Sequence, residues 1–167
     1  MQLHDLMGFG GPLIVAGDDF TALMWRDLGA ALAKVAPRTK FACLRTLTFS
    51  WTTSRRMGGG PAGCLFGCNE CSDDMEHFLQ SSALWGEIAL LGPNFPDAAL
   101  SPSERWGCNG FSPASVHTLA VAALAYQQVA YDAAPTTLRS ALLAACAHCN
   151  VIVSRNPGPV VPVSTPV

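Results

Sequence analysis

Hydrophobic residues recur at a spacing of three or four positions along most of the chain, which predicts helices. The first pattern predicts a helix over residues 20–35. Ala36-Pro37 ends it, because a residue before proline is disfavoured in helical conformation. A second helix is predicted over residues 39–53. Its apolar stripe is expected to consist of Phe41, Leu44, Leu47, Thr48 and Trp51.

Capping and turn signals predict three more helices in the rest of the chain. Asp73 and Glu76 form a capping-box pattern, which opens a helix expected to continue to Leu91. Residues 92–112 are rich in proline and other turn-forming residues, so they predict a long loop. A final pair of helices follows this loop. The pair is predicted to cover residues 113–132 and 138–151.

These elements predict a mainly α fold, a small helical domain with an irregular, zinc-knuckle-like loop of cysteine and histidine. No alternating run of hydrophobic and polar residues is long enough to predict a sheet. The expected order is an irregular N-terminal segment, a helix pair with a zinc-binding-like module, a loop, a C-terminal helical hairpin and a flexible tail. These parts are assigned to residues 1–17, 18–91, 92–112, 113–153 and 154–167.

The composition favours a folded, intracellular protein. Half of the 167 residues are hydrophobic and 13% are charged, which is ample for one core. No secretory leader is evident at the N-terminus, and no apolar run is long enough to cross a bilayer. The seven cysteines are unevenly spaced, unlike a secreted disulfide framework. We therefore expect a cytoplasmic or nuclear protein with no membrane partner.

Charge is distributed unevenly, although the net charge is only −2. Residues 26–56 contain seven basic residues and one acidic residue, Asp27. An excess of this kind favours contact with nucleic acid through the first half of the chain. The alternative is that the charges only solvate the outer faces of an amphipathic helix pair.

Cysteine and histidine cluster between the second and third predicted helices. Cys64 and Cys68 flank a glycine-containing turn that can direct both sulfurs inward, and His77 lies in the first turn of the next helix. Position 81 lies one helical turn after His77 and could supply a fourth ligand, but it is Ser81. Cys71 is the substitute, and it gives a Cys3His set for Zn²⁺.

Three interpretations of this cluster are open. In the first, Zn²⁺ binds through Cys64, Cys68, Cys71 and His77, since structural zinc takes four nitrogen or sulfur donors. In the second, the serine at position 81 leaves a degenerate site that binds metal weakly or not at all. In the third, the cysteines are reduced residues of an ordinary core.

The residues around the cluster resemble a known module. They are Thr46-Leu-Thr-Phe-Ser-Trp51-Thr-Thr-Ser-Arg-Arg-Met57, Cys64-Leu-Phe-Gly-Cys68, Glu76-His77-Phe78-Leu79-Gln80 and Ala83-Leu84-Trp85. Over residues 38–90 this order resembles the zinc-binding region found C-terminal to the reverse transcriptase of non-LTR retrotransposons. The resemblance implies that Cys64, Cys68 and His77 are zinc ligands. Ser81 stands where that module has its last cysteine.

From this resemblance we expect a non-catalytic remnant of a retrotransposon polyprotein. No catalytic residue is expected, because the sequence has no recognisable nucleophile grouping or phosphate-binding loop. RNA or single-stranded DNA is the expected partner. The alternative is a helical protein-interaction or structural module without metal, which docks on another protein through its C-terminal helices. The candidate nucleic-acid-binding residues are Lys40, Arg45, Arg55 and Arg56 for phosphates, and Trp51 for either base stacking or core packing.

Overall fold

The structure is a computed structural model, and it describes residues 18–48, 50, 51, 53, 63–68, 73, 75–96, 102–105, 110–131 and 136–153. Within these residues the fold is mainly α, as predicted, and no strand is present. None of the described helices is both long enough and apolar enough to span a membrane. The helices are α1 (Asp18–Ala33), α2 (Pro37–Leu47), α3 (Met75–Gln80), α4 (Ser82–Ala89), α5 (Pro102–Arg105), α6 (Pro113–Tyr131) and α7 (Leu138–His148).

Helix α6 is the central element of the fold, and α1, α2, α4 and α7 all pack against it. Its N-terminus is capped as the Ser112-Pro113 pair favours, since the Ser112 hydroxyl accepts a hydrogen bond from the Ser115 N–H at 3.1 Å. Helix α6 carries apolar residues on most of its sides, which is typical of a buried helix. The buried residues of α6 are Val116, Thr118, Leu119, Ala120, Val121, Ala122, Ala123, Ala125 and Tyr126.

Helix α2 packs on α6 through the face opposite to the predicted apolar stripe. Phe41 is 70% exposed and Leu44 is 38% exposed, so the predicted stripe is wrong for these residues. The hydroxyl of Thr46 lies 3.1 Å from the Leu119 carbonyl of α6, which shows how closely the two helices approach. Small side chains permit this approach, whereas a phenylalanine between the helices would hold them apart. The buried residues of α2 are Thr39, Ala42, Cys43 and Thr46.

Helix α2 also ends at Leu47, earlier than the predicted end at residue 53. The Thr48 hydroxyl donates to the Leu44 carbonyl at 2.9 Å, and the Ser50 N–H donates to the Arg45 carbonyl at 2.7 Å. Hydroxyl side chains that bond to nearby backbone compete with helix continuation. The chain then turns toward the core.

The helix predicted to run to Leu91 is interrupted at Ser81, which separates α3 from α4. Ser81 has a non-helical backbone (φ −55°, ψ 108°), and its hydroxyl accepts a hydrogen bond from the Leu84 N–H at 3.3 Å. It is therefore the N-cap of α4. The sequence suggested that Ser81 and His77 lie on one face of a continuous helix. Because the helix is broken at Ser81, they do not.

The remaining helices agree with the sequence patterns. Helices α1, α6 and α7 lie within a few residues of their predicted bounds, while the predicted loop over 92–112 contains the short helix α5. Helices from residues 18–91 and 113–153 contribute to one hydrophobic core. The predicted N-terminal segment and tail, residues 1–17 and 154–167, lie outside the described residues.

Candidate metal centre

The residues from Cys64 to Cys68 form a tight turn anchored on the core. The Gly67 N–H donates to the Cys64 carbonyl at 3.1 Å, and Gly67 has a φ of +78°, which favours glycine. Phe66 lies between the two cysteines and is buried, with its ring centroid 5.0 Å from that of Phe78 on α3. This packing fixes the turn against the helix that follows it.

His77 comes from the opposite side of the site, on helix α3. Its Nε2 atom lies 2.8 Å from the sulfur of Cys68. The imidazole is buried and stands edge-on to the neighbouring ring of Phe78, 5.7 Å between centroids. The turn and the helix therefore bring a sulfur and a ring nitrogen into direct contact.

Cys64, Cys68 and His77 form a group able to hold a metal ion. One donor atom from each residue lies within 4.8 Å of the donor atoms of the other two. This confirms the prediction that the two sulfurs and the imidazole converge. Thiolate and imidazole are ligands that transition metals prefer, whereas calcium and magnesium take oxygen donors.

The electrostatics of the site oppose an uncompensated thiolate at Cys64. Burial raises the pKa of the Cys64 thiol, and the hydrogen bond it shares with Cys68 raises it further. The Phe66 N–H donates to the Cys64 sulfur at 3.4 Å, which acts in the opposite direction. A divalent cation bound here would supply the positive charge that a thiolate needs, since metal ligation deprotonates a coordinating thiol.

The two other residues considered as fourth ligands have different outcomes. Cys71 lies outside the described residues, so its assignment stays a prediction. Ser81 is 2% exposed, and its hydroxyl caps α4 as described above. The serine at position 81 therefore has a structural role that needs no metal.

An aromatic cluster lies behind the metal-binding group, and the sequence did not predict it. Trp51 stacks on Tyr126 of α6 at 4.9 Å between centroids, and lies 5.6 Å from Phe78. The Trp51 indole N–H donates to the Thr46 hydroxyl at 3.0 Å. Only 3% of Trp51 is exposed, so of its two predicted roles the structure shows core packing, and the ring is not available to a base.

The basic candidates lie on or beyond helix α2. Lys40 and Arg45 are half-buried on α2, while Arg55 and Arg56 lie outside the described residues. The guanidinium of Arg45 donates to the Ser50 carbonyl at 3.2 Å. Lys40 and Arg45 therefore lie on the same helix, whereas Trp51 is in the core and is not part of the surface that they form.

No protein-family model, curated protein or solved structure matches this chain. The resemblance to the retrotransposon zinc-binding region therefore stays a prediction.

Proposed function

We propose that the chain is a non-catalytic zinc-binding module, related to those of non-LTR retrotransposon polyproteins, whose partner is nucleic acid. The observation that carries this proposal is the convergence of Cys64, Cys68 and His77 within 4.8 Å. Two sulfurs and one imidazole, with cysteine as a fourth donor, are a ligand set of structural zinc sites.

The donor distances support zinc at this position. Zinc binds sulfur at about 2.3 Å and imidazole nitrogen at about 2.0–2.1 Å, so two ligand atoms of one tetrahedral ion lie about 3.5–3.8 Å apart. The Sγ of Cys68 and the Nε2 of His77 are 2.8 Å apart, closer than two ligand atoms of one ion. A metal that replaces the shared proton requires these atoms to move apart by less than about 1 Å.

The role of the zinc is to join the turn to helix α3. Packing already holds the turn and the helix together, since Phe66 and Phe78 are neighbours of the ligands and their rings contact each other. Binding free energy at a structural zinc site contributes directly to folding. We take Cys71 as the fourth ligand, because Ser81 is engaged as the cap of α4.

Nucleic acid is favoured over protein as the binding partner of the module. The protein-interaction alternative needs apolar surface on the C-terminal helices, but most apolar residues of α6 are buried or half-buried within this chain. The large apolar residues exposed on α6 and α7 are Tyr131 and Leu143. By contrast, helix α2 has three basic residues, Arg38, Lys40 and Arg45, and no acidic residue. Such a surface attracts phosphates.

Native mass spectrometry of protein expressed with zinc tests the metal. We expect one zinc per chain, and its loss in Cys68→Ala, His77→Ala and Cys71→Ala. Cys146→Ala is the matched control, because Cys146 is a buried cysteine on α7 that the proposal leaves outside the site. Wild-type protein without zinc, or variants that keep it as the control does, would contradict the proposal.

A further inference from the structure

The outward side of α2 combines an exposed aromatic ring with positive charge. Phe41, at 70% exposure, is more exposed than any other phenylalanine, tyrosine or tryptophan that the structure describes. We call this side the outer face of α2. It consists of Arg38, Lys40, Phe41, Leu44, Arg45 and Thr48.

The helical register places the charges beside the ring. Arg38 and Arg45 lie three residues before and four residues after Phe41, so each is its neighbour along one side of the helix, about 5–6 Å away between Cβ atoms. Lys40 is in the same relation to Leu44, on the adjacent row. The packed face of α2 is on the other side of the helix, although the guanidinium of Arg45 also reaches the side-chain amide oxygen of Gln127 on α6.

The charges on this face are open to a ligand to different degrees. Arg38 is exposed and Lys40 is half-exposed. Arg45 donates to the Ser50 carbonyl, so it contributes positive charge while its side chain is held in place. The sequence of α2 contains no aspartate or glutamate to neutralise them.

We propose that the outer face of α2 binds single-stranded nucleic acid, with Phe41 stacking on a base and Arg38 and Lys40 contacting phosphates. Aromatic side chains within a basic surface are how many proteins hold single strands without reading sequence. The stacking residue is thus Phe41 and not Trp51, which lies in the core. This inference rests on the nucleic-acid part of the proposed function, but it does not depend on the zinc.

Fluorescence anisotropy with a labelled oligouridine of about 12 nucleotides tests the assignment, at about 50 mM salt and above. Phe41→Ala should weaken binding at least about five-fold, which is the low end of the range for losing one stacked base. Phe41→Trp should keep the affinity, because it keeps a stacking ring. Phe41→Leu should weaken binding as much as Phe41→Ala does, because leucine keeps an apolar side chain but has no ring to stack on a base.

The basic residues are tested by the salt dependence of the same binding. Arg38→Gln and Lys40→Gln should each reduce the slope of log affinity against log salt by about 0.7, as expected for one phosphate contact on a single strand. Arg26→Gln is the control. Arg26 is an exposed arginine that is paired with Asp27 at 3.3 Å, so its removal should leave the slope unchanged.

The outcomes separate this inference from the proposed function. RNA affinity that is unchanged in Phe41→Ala overturns the stacking assignment. RNA affinity that is unchanged in Phe41→Leu also overturns it, because it would mean that an apolar side chain is enough and no aromatic ring is needed. If the wild type binds neither the RNA nor the matching oligothymidine, both this inference and the nucleic-acid proposal fail. The zinc proposal is then still decided by metal content, which Phe41 variants should not change.

Discussion

The hydroxyl of Tyr126 donates a hydrogen bond to the carboxylate of Asp73, with 3.1 Å between the oxygen atoms. Both residues are buried. Asp73 lies just before α3, and Tyr126 belongs to the central helix α6, so the bond joins the core to the segment that leads into His77. Burial raises the pKa of Tyr126, and the negative charge of Asp73 raises it further, so this phenol stays a donor.

We predict that Tyr126→Phe destabilises the protein by about 1.5–3 kcal/mol, the range for a hydrogen bond to a charged group. The ring packing on Trp51 is kept, so the loss reports on the hydroxyl. Urea unfolding measures it. Ser82→Ala is the control, because Ser82 is exposed on α4 and its hydroxyl should contribute less than about 0.5 kcal/mol. Equal effects of the two substitutions would contradict the importance of the Asp73 bond.

Ser81→Ala should lower stability by about 1 kcal/mol, because it removes the N-cap of α4. The zinc content should not change if the hydroxyl is only a cap. The neighbouring Ser82→Ala is the control, since Ser82 is exposed and lies within the helix. Loss of zinc in Ser81→Ala, with Ser82→Ala unaffected, would instead identify Ser81 as a ligand.

Chelation should expose the cysteines of the metal-binding group to alkylation. We expect iodoacetamide to modify Cys64 and Cys68 in the folded protein only after zinc is removed, because both are half-buried and the proposed metal would cover their sulfurs. Cys43, Cys146 and Cys149 are buried and should react only on unfolding. Mass spectrometry of the modified peptides distinguishes the two sets. Unchanged labelling of Cys64 and Cys68 on chelation would mean that no metal protects them.

Trp51→Phe should cost stability but not nucleic-acid affinity. The substitution removes the hydrogen bond to Thr46, worth about 0.5–1.5 kcal/mol, together with part of the buried ring. Thermal unfolding measures the loss, and anisotropy with the same RNA should give the wild-type affinity while the protein is folded. A drop in affinity as large as that of Phe41→Ala would show that Trp51 contacts the ligand.

Stability should depend on Cys43 at high pH. Burial raises the pKa of its thiol from 9.0 to about 12. Below pH 9 the thiol is neutral in both the folded and unfolded states. Between about pH 9 and 12 only the unfolded state loses the proton, so the free energy of unfolding falls by up to about 1.4 kcal/mol per pH unit.

The matched comparison for Cys43 is Cys43→Ala. Urea unfolding of both proteins from about pH 8 to 10 gives the difference in stability, which should narrow as the pH rises above 9. A difference that is constant with pH would mean that this thiol is not protected from ionisation.

The local features of the site could be predicted from the sequence. Cys64 and Cys68 are separated by three residues, and His77 lies in the first turn of the next helix, so short-range geometry was enough to bring them together. Helices α6 and α7 were also predictable, because strong apolar periodicity and good caps agree there.

What could not be predicted depends on partners far away in the sequence. Phe41 and Leu44 were placed in the core because they are large and apolar, but the alanine-rich surface of α6 selects small residues for contact. Trp51 and Tyr126 stack although they are distant in the chain, and no periodicity reports such a pair. The break at Ser81 depends on whether the helix continues or Ser81 caps a new one. The capping pattern at Asp73 predicted a single helix start, so the second start at Ser81 was missed.

The close contact of α2 with α6 has one more consequence. Alanine, cysteine and threonine have few rotamers, so the joint between the two helices has little freedom to rearrange. A single-stranded nucleic acid bound to the outer face of α2, as proposed, would therefore meet a preorganised surface. The entropy lost on association would fall mainly on the nucleic acid and on a few long side chains of the protein.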